Sequence, residues 1–290
     1  MQTLDFTIDG QHIIGETFDS IAEFNRVTDA RATNHHGRSN DSAVRSGNSS
    51  WAGTESYTEA TALLADGWSD PLEALREGHR LAAQVKRVES VSRARMQNNV
   101  VGCAPVVPRA LLGLPDSMRR VYREPVKAKT LTIHYDVGAT SSVSTDEMTK
   151  SGVAVLALVS TLERLGFRVR LFVGSGVKWN SSGRYVGVEL KGYRDALDLK
   201  KLCFPLAHPS MQRRIAFRWR ETSPVITSEC RGYGIAFSSY INKDYRAAMR
   251  DHFAKSNGYY INLDDTSTAH YKVDTLMDNL GMTRNLGITH

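Results

Sequence analysis

Thr130-Leu131-Thr132-Ile133-His134-Tyr135-Asp136-Val137-Gly138-Ala139-Thr140-Ser141-Ser142 decides how this chain is read. Its first eight residues are rich in β-formers and apolar at alternate positions, which predicts a strand. The small and hydroxylated residues that follow predict a loop. Residues 146–166 then have helical spacing, with Val153, Val155, Leu156, Val159, Leu162 and Leu165 as the apolar surface. Gly166 stops that helix, and residues 167–173 alternate as a second strand. Strand, helix and strand with short joints make a βαβ unit, whose crossover is right-handed in nearly all proteins. Downstream the pattern continues. A hairpin turns near Ser181-Ser182-Gly183 and returns over 184–190; helical stretches cover 193–203 and 210–219; strands cover 233–237 and 258–263; a helix over 268–280 closes the chain. This alternation predicts an α/β, three-layer domain with a mostly parallel sheet over residues 126–290.

Upstream, residues 51–125 predict a helical region and a connector. Ser56 with Glu59 has capping-box spacing, Tyr57, Ala60, Leu63 and Leu64 share a face, and Gly67 ends that helix. Asp70-Pro71 starts a second helix running to about Met96. Gly102, Pro105, Pro108, Gly113 and Pro115 then break regular structure. Residues 1–50 read as a loosely structured acidic leader with one short helix over 20–27. The Gly/Ser/Asn-rich stretch within 29–50 is expected to be mobile, and the pair His35-His36 in it reads as a solvated loop.

The order of elements over 130–285 resembles a von Willebrand factor A domain, itself a Rossmann-like architecture. That family opens with a buried strand ending in Asp, a Ser-rich loop that holds a divalent cation, a long helix, a strand and a hairpin. Asp136 matches the first position of its Asp-x-Ser-x-Ser motif, Gly138 replaces the first serine and Thr140 the second, with Ser141-Ser142 after it. The resemblance implies a cation site at Asp136, Thr140 and Ser142. Because Gly138 cannot ligate through a side chain, the site is expected to hold no metal. Trp51–Ala60, with Gly67-Trp68 beyond it, is similar to a segment of uncharacterised bacteriophage proteins. That likeness implies a phage-encoded protein working in the host bacterial cytoplasm, and it brings no catalytic residues with it.

Composition narrows the class. Of 290 residues 41% are hydrophobic and 23% charged, which excludes a disordered chain, a collagen or a coiled coil. No apolar run approaches the roughly 20 residues of a membrane span. Three scattered cysteines exclude a disulfide framework. Residues 1–70 carry 11 acidic and 4 basic side chains, a net of −7, so the net of +6 for the whole chain means a basic body. Gly174–Lys178 and 231–235 lack phosphate-loop spacing, and no nucleophile motif is present, so neither an enzyme nor a cofactor is expected. Arg213, Arg214, Arg218 and Arg220 alternate with Phe217 and Trp219. Lys243, Arg246, Arg250, Tyr259 and Tyr260 extend the mixture of cations and rings. Cations for phosphates and rings for stacking are what single-stranded nucleic acid needs. The expected function is therefore a non-enzymatic accessory protein that binds nucleic acid, preferably single-stranded, in replication or transcription, and recruits a phage or host protein. The alternative is a protein-interaction module that binds no nucleic acid.

Overall fold

The computed structural model describes residues 1–32, 46–71, 92–125, 129–227, 230, 232–269 and 273–286. The strand expected from the opening stretch is present as β6 (Thr130–Asp136), an interior strand of a mixed seven-stranded sheet. In chain order the sheet also contains β1 (Gln2–Ile8), β2 (Gln11–Phe18), β7 (Arg168–Trp179), β8 (Ser182–Lys191), the two-residue β9 (Ile235–Ala236) and β10 (Gly258–Asn262). The spatial order is β1-β2-β8-β7-β6-β10, with β9 beside the far end of β7. β6 is parallel to β7 and β10, and β2 is parallel to β8; the antiparallel pairings are β1–β2, β7–β8 and β7–β9.

Local chemistry explains the joints. Ser144 caps the helix Thr145–Arg164 and Glu147 reaches back to the Ser144 backbone, a complete capping box. Asn180, at φ 48°, makes the tight β7–β8 turn that Asn favours. Gly152 lets that helix touch the backbone of the helix Leu199–Ala207: an added Cβ would lie 2.2 Å from the Leu206 carbonyl oxygen. Apolar residues then cover both faces of the sheet. Leu131, Ile133, Tyr135, Val169, Val186 and Val188 pack with the helix Thr145–Arg164 on one side. Ile13, Tyr185 and Tyr260 pack with Tyr245, Met249 and Phe253 of the helix Lys243–Ala254 on the other.

Four expectations are corrected. The leader is not loose where it is described: β1 and β2 form a hairpin that extends the main sheet, and Asp9 and Gly10, both at positive φ, make its turn. Strand pairing and the packing of Leu4, Phe6 and Ile8 outweigh the acidic composition. The short helix is present as Ile21–Ala30, capped by Ser20. The expected second helix of the 51–125 region lies mostly over 72–91, outside the described residues. Its end, however, is strand: β3 (Ser92–Asn99) pairs with β5 (Met118–Pro125), and β4 (Ala104–Pro105) adds to β5. Finally, β7 runs on through Gly174–Lys178, where turns were expected. The chain over 268–280 closes in pieces, Leu263–Thr268, Val273–Asn279 and Met282–Leu286, rather than as one helix. The His35-His36 pair and most of the stretch expected to be mobile also lie outside the described residues. No helix among the described residues is long and apolar enough to cross a membrane.

Candidate functional site: a filled carboxylate centre and an exposed arm

Asp136 ends β6 and is fully buried. Its Oδ1 accepts the backbone N–H of Gly138 at 2.7 Å and of Gly176 at 3.1 Å, and its Oδ2 accepts the Tyr260 hydroxyl at 2.5 Å. Gly138 and Gly176 leave the room: a Cβ on either would sit 2.7 or 2.9 Å from a carboxylate oxygen. Arg220, also buried, donates to the Ser175 hydroxyl at 2.6 Å and to the Tyr233 carbonyl at 2.9 Å, and its charge acts on Asp136. Burial pushes the Asp136 carboxyl up to about 6, against the pull of Tyr260, Gly138, Gly176 and Arg220. Burial pushes the Arg220 guanidinium down to about 9.

These residues do not suit the cation that the resemblance implies. N–H and O–H donors already occupy the carboxylate, and a guanidinium supplies positive charge beside it. Thr140 and Ser142 bond to each other at 3.0 Å, and neither hydrogen-bonds Asp136. No group of three His, Cys, Asp or Glu side chains able to hold a metal occurs among the described residues.

The arginine cluster is inside the molecule. Residues 211–216 form a π-helix whose every side chain is buried, followed by the helix Phe217–Thr222. Arg214 donates to the Thr54 hydroxyl at 2.9 Å, to the Gly47 carbonyl at 2.8 Å and to the Thr54 carbonyl. Arg213 donates to the Val143 carbonyl at 2.6 Å and to the Trp51 carbonyl, with its guanidinium 4.4 Å from the Trp51 ring centroid. Arg218 is half-buried and sits 3.9 Å from Glu221. Arg213 and Arg214 clamp residues 47–54 onto the body instead of facing solvent. Arg214 and Arg218 therefore do not form a solvent-facing pair.

The other expected contacts divide. Tyr260 is buried against Asp136 and offers no ring to solvent. Lys243 is exposed. Arg246 and Arg250 are ion-paired with Asp264 and Asp265, in the first turn of the helix Leu263–Thr268. Arg250, Tyr259 and Tyr260 do come together, lining a cleft of about 310 Å³. A second cleft, of about 370 Å³, opens beyond the ends of β6 and β7 between Trp51, Ala139, Gln212, Phe217, Tyr233 and Ile235. A crevice in that position is where open α/β sheets bind ligands.

The feature that sequence reading missed is the arm formed by residues 92–125. β3, β5 and β4 pair only with one another. Among the described residues, nine of the thirteen exposed large apolar side chains lie on this arm, including Met96, Val100, Val101, Leu111 and Leu112, so it exposes what a folded core would hide. The arm has two zones. Its stalk, 92–99 with 118–125, contains Arg93, Arg95, Arg119, Arg120 and Arg123 against a single acid, Glu124. Its tip, 100–117, is electrically neutral, because Arg109 pairs with Asp116 at 2.6 Å.

A family model described as a domain of unknown function, DUF7192, matches residues 8–290. The chain is a member of the DUF7192 family. The match spans the arm, the clamp and the Asp136 centre of this DUF7192 protein. No curated protein and no solved structure matches it.

One buried histidine gives the DUF7192 fold a predictable pH response. His134 stacks between Phe172 at 4.5 Å and Phe253 at 3.6 Å, and its Nδ1 has no hydrogen-bond partner. Burial, then the charges of His252 and Arg170, push its pKa down to about 3. A folded value below the unfolded 6.5 means that stability is present above pH 6.5 and is lost as pH falls toward 3, at up to about 1.4 kcal/mol per pH unit. His134→Phe keeps the stack and removes the titration. Its urea midpoint should fall less than that of the wild type between pH 6.5 and 4.5; parallel curves would contradict this account.

Proposed function

We propose that this protein is a non-enzymatic interaction module that docks a protein partner through the tip of the arm. The exposed apolar tip carries the reading. Val100, Val101, Val107, Leu111 and Leu112 are each 59% exposed or more, on an element whose strands pair with one another and, among the described residues, with no strand of the main sheet. Apolar side chains crowded on one protruding element mark a contact surface. The body supports the reading as a platform. Its Asp-ended strand, serine loop, long helix, strand and hairpin resemble the von Willebrand A succession, and the Tyr260 hydroxyl donates to the carboxylate at the position where that family holds its cation.

Nucleic-acid binding is the second reading, and the stalk favours it. Arg95, Gln97, Asn98, Arg119 and Arg120 are exposed on an antiparallel pair of strands, a shape that enters a major groove. Cys103 separates the two readings, because it is exposed while Cys203 and Cys230 are buried. A fluorophore on Cys103 reports the arm alone. Titrated with single- and double-stranded DNA and RNA at two salt concentrations, the labelled protein should show little salt-sensitive anisotropy gain. A strong gain that collapses with salt, and that Arg119→Ala with Arg120→Ala weakens, would replace the first reading by the second.

A further inference from the structure

We propose that the partner docked by the arm is a second copy of this chain, whose cleft beyond the ends of β6 and β7 receives the tip. The inference rests on the interaction reading and names its partner. Outside the arm, the exposed large apolar side chains among the described residues are Met1, Ile235, Tyr240 and Ile241. The last three form one patch. Ile235 lines the cleft, and the Asn242 amide bonds the Ile235 and Ala236 carbonyls at 3.2 and 2.6 Å, holding the turn Tyr240–Asn242 beside β9. The described surface therefore offers two apolar patches of different shape, one protruding and one concave.

Chemistry within the cleft suits an inserted peptide segment. Trp51, Phe217 and Tyr233 give it aromatic walls, with the Phe217 and Tyr233 rings stacked at 4.1 Å. Gln212 lines it, 2% exposed; its Nε2 donates to the Ala139 carbonyl at 2.7 Å while its Oε1 has no partner. Charge complements shape at one rim only: the stalk is arginine-rich, while exposed Glu55, and Asp146 paired with Lys150 at 2.6 Å, follow in sequence on the cleft residues Trp51 and Ser141. Tip and cleft are different surfaces, so the contact is head to tail and each copy keeps one free tip and one free cleft. Such a contact grows into a ring or a filament instead of stopping at a dimer.

Sedimentation of the full chain tests this. Wild type should associate beyond a dimer as concentration rises from about 1 to 100 µM. Leu111→Asp with Leu112→Asp at the tip should be monomeric, and so should Ile235→Glu with Ile241→Glu at the cleft. An equimolar mixture of the two variants should form a heterodimer and nothing larger, because each pair keeps one intact tip and one intact cleft. That product also shows that both variants are folded. A monomeric wild type, a mixture that stays monomeric, or association untouched by the tip substitutions would overturn the proposal. If wild type is monomeric, yet Cys103-labelled protein still gains anisotropy with a different protein and loses that gain with the tip substitutions, self-docking fails while the interaction reading survives.

Discussion

Arg214→Ala is expected to destabilise the protein by roughly 2–5 kcal/mol, from the orphaned buried carbonyl and hydroxyl of Thr54, which cost about 1–3 kcal/mol each. Arg214 is fully buried in the π-helix and donates to both the Gly47 and Thr54 carbonyls and to the Thr54 hydroxyl. Alanine would leave these acceptors facing a hole. A chain of this size should lose on the order of 10 °C in melting temperature. Protease sensitivity should rise first around residues 46–56, the segment the guanidinium holds. Arg120→Ala on the exposed stalk is the control, with a change within about 0.5 kcal/mol. Equal melting temperatures for the two variants would show that the clamp holds nothing.

Asp136→Ala is expected to cost about as much, since an uncompensated buried charge costs roughly 3–5 kcal/mol. The substitution strips acceptors from Gly138, Gly176 and Tyr260 and takes away the anion beside buried Arg220. Asp136→Asn keeps the shape and should lose less at pH 7. The pH dependence has a definite sign. The folded pKa of about 6 lies above the ordinary 3.8, so this group's contribution is fully present below 3.8 and is lost as pH rises through 6. The deficit of Asp136→Asn relative to wild type should therefore be larger at pH 4 and shrink as pH rises to 7. Magnesium or calcium should leave both denaturation curves in place. A calcium-dependent stabilisation of wild type that Asp136→Ala abolishes would show that the carboxylate serves a cation after all.

The sequence carries the central βαβ unit plainly because the two relevant periods, 2 and 3.6, switch cleanly at Asp136 and Gly166. The Ser144 and Ser56 caps are legible for the same local reason. The leading hairpin was also written there: Asp9-Gly10 sits between the alternating Leu4, Phe6, Ile8 and Ile13, a strong short-range hairpin signal. Acidic composition is a weaker indicator than that dipeptide. Strands β3 and β5 were not legible, because Arg93, Arg95, Gln97 and Asn99 show no apolar alternation. Each of these strands exists through pairing with the other, a long-range contact. The arginine cluster misleads for a different reason. Spacing in one dimension does not reveal burial, and guanidinium groups go inside when carbonyls are there to receive them. The hint is that Met211, Ile215, Ala216, Phe217 and Trp219 point in every direction around the helix, the mark of a buried segment.

The most direct test of the arm's role is to remove its tip. Asn99 and Met118 face each other across β3 and β5, so residues 100–117 can be replaced by the two-residue turn Asn-Gly. If the tip serves binding and not folding, the shortened protein will melt within a few degrees of wild type and will no longer associate with a partner, its own copies included. A collapse in melting temperature, or association at wild-type strength, would contradict the account.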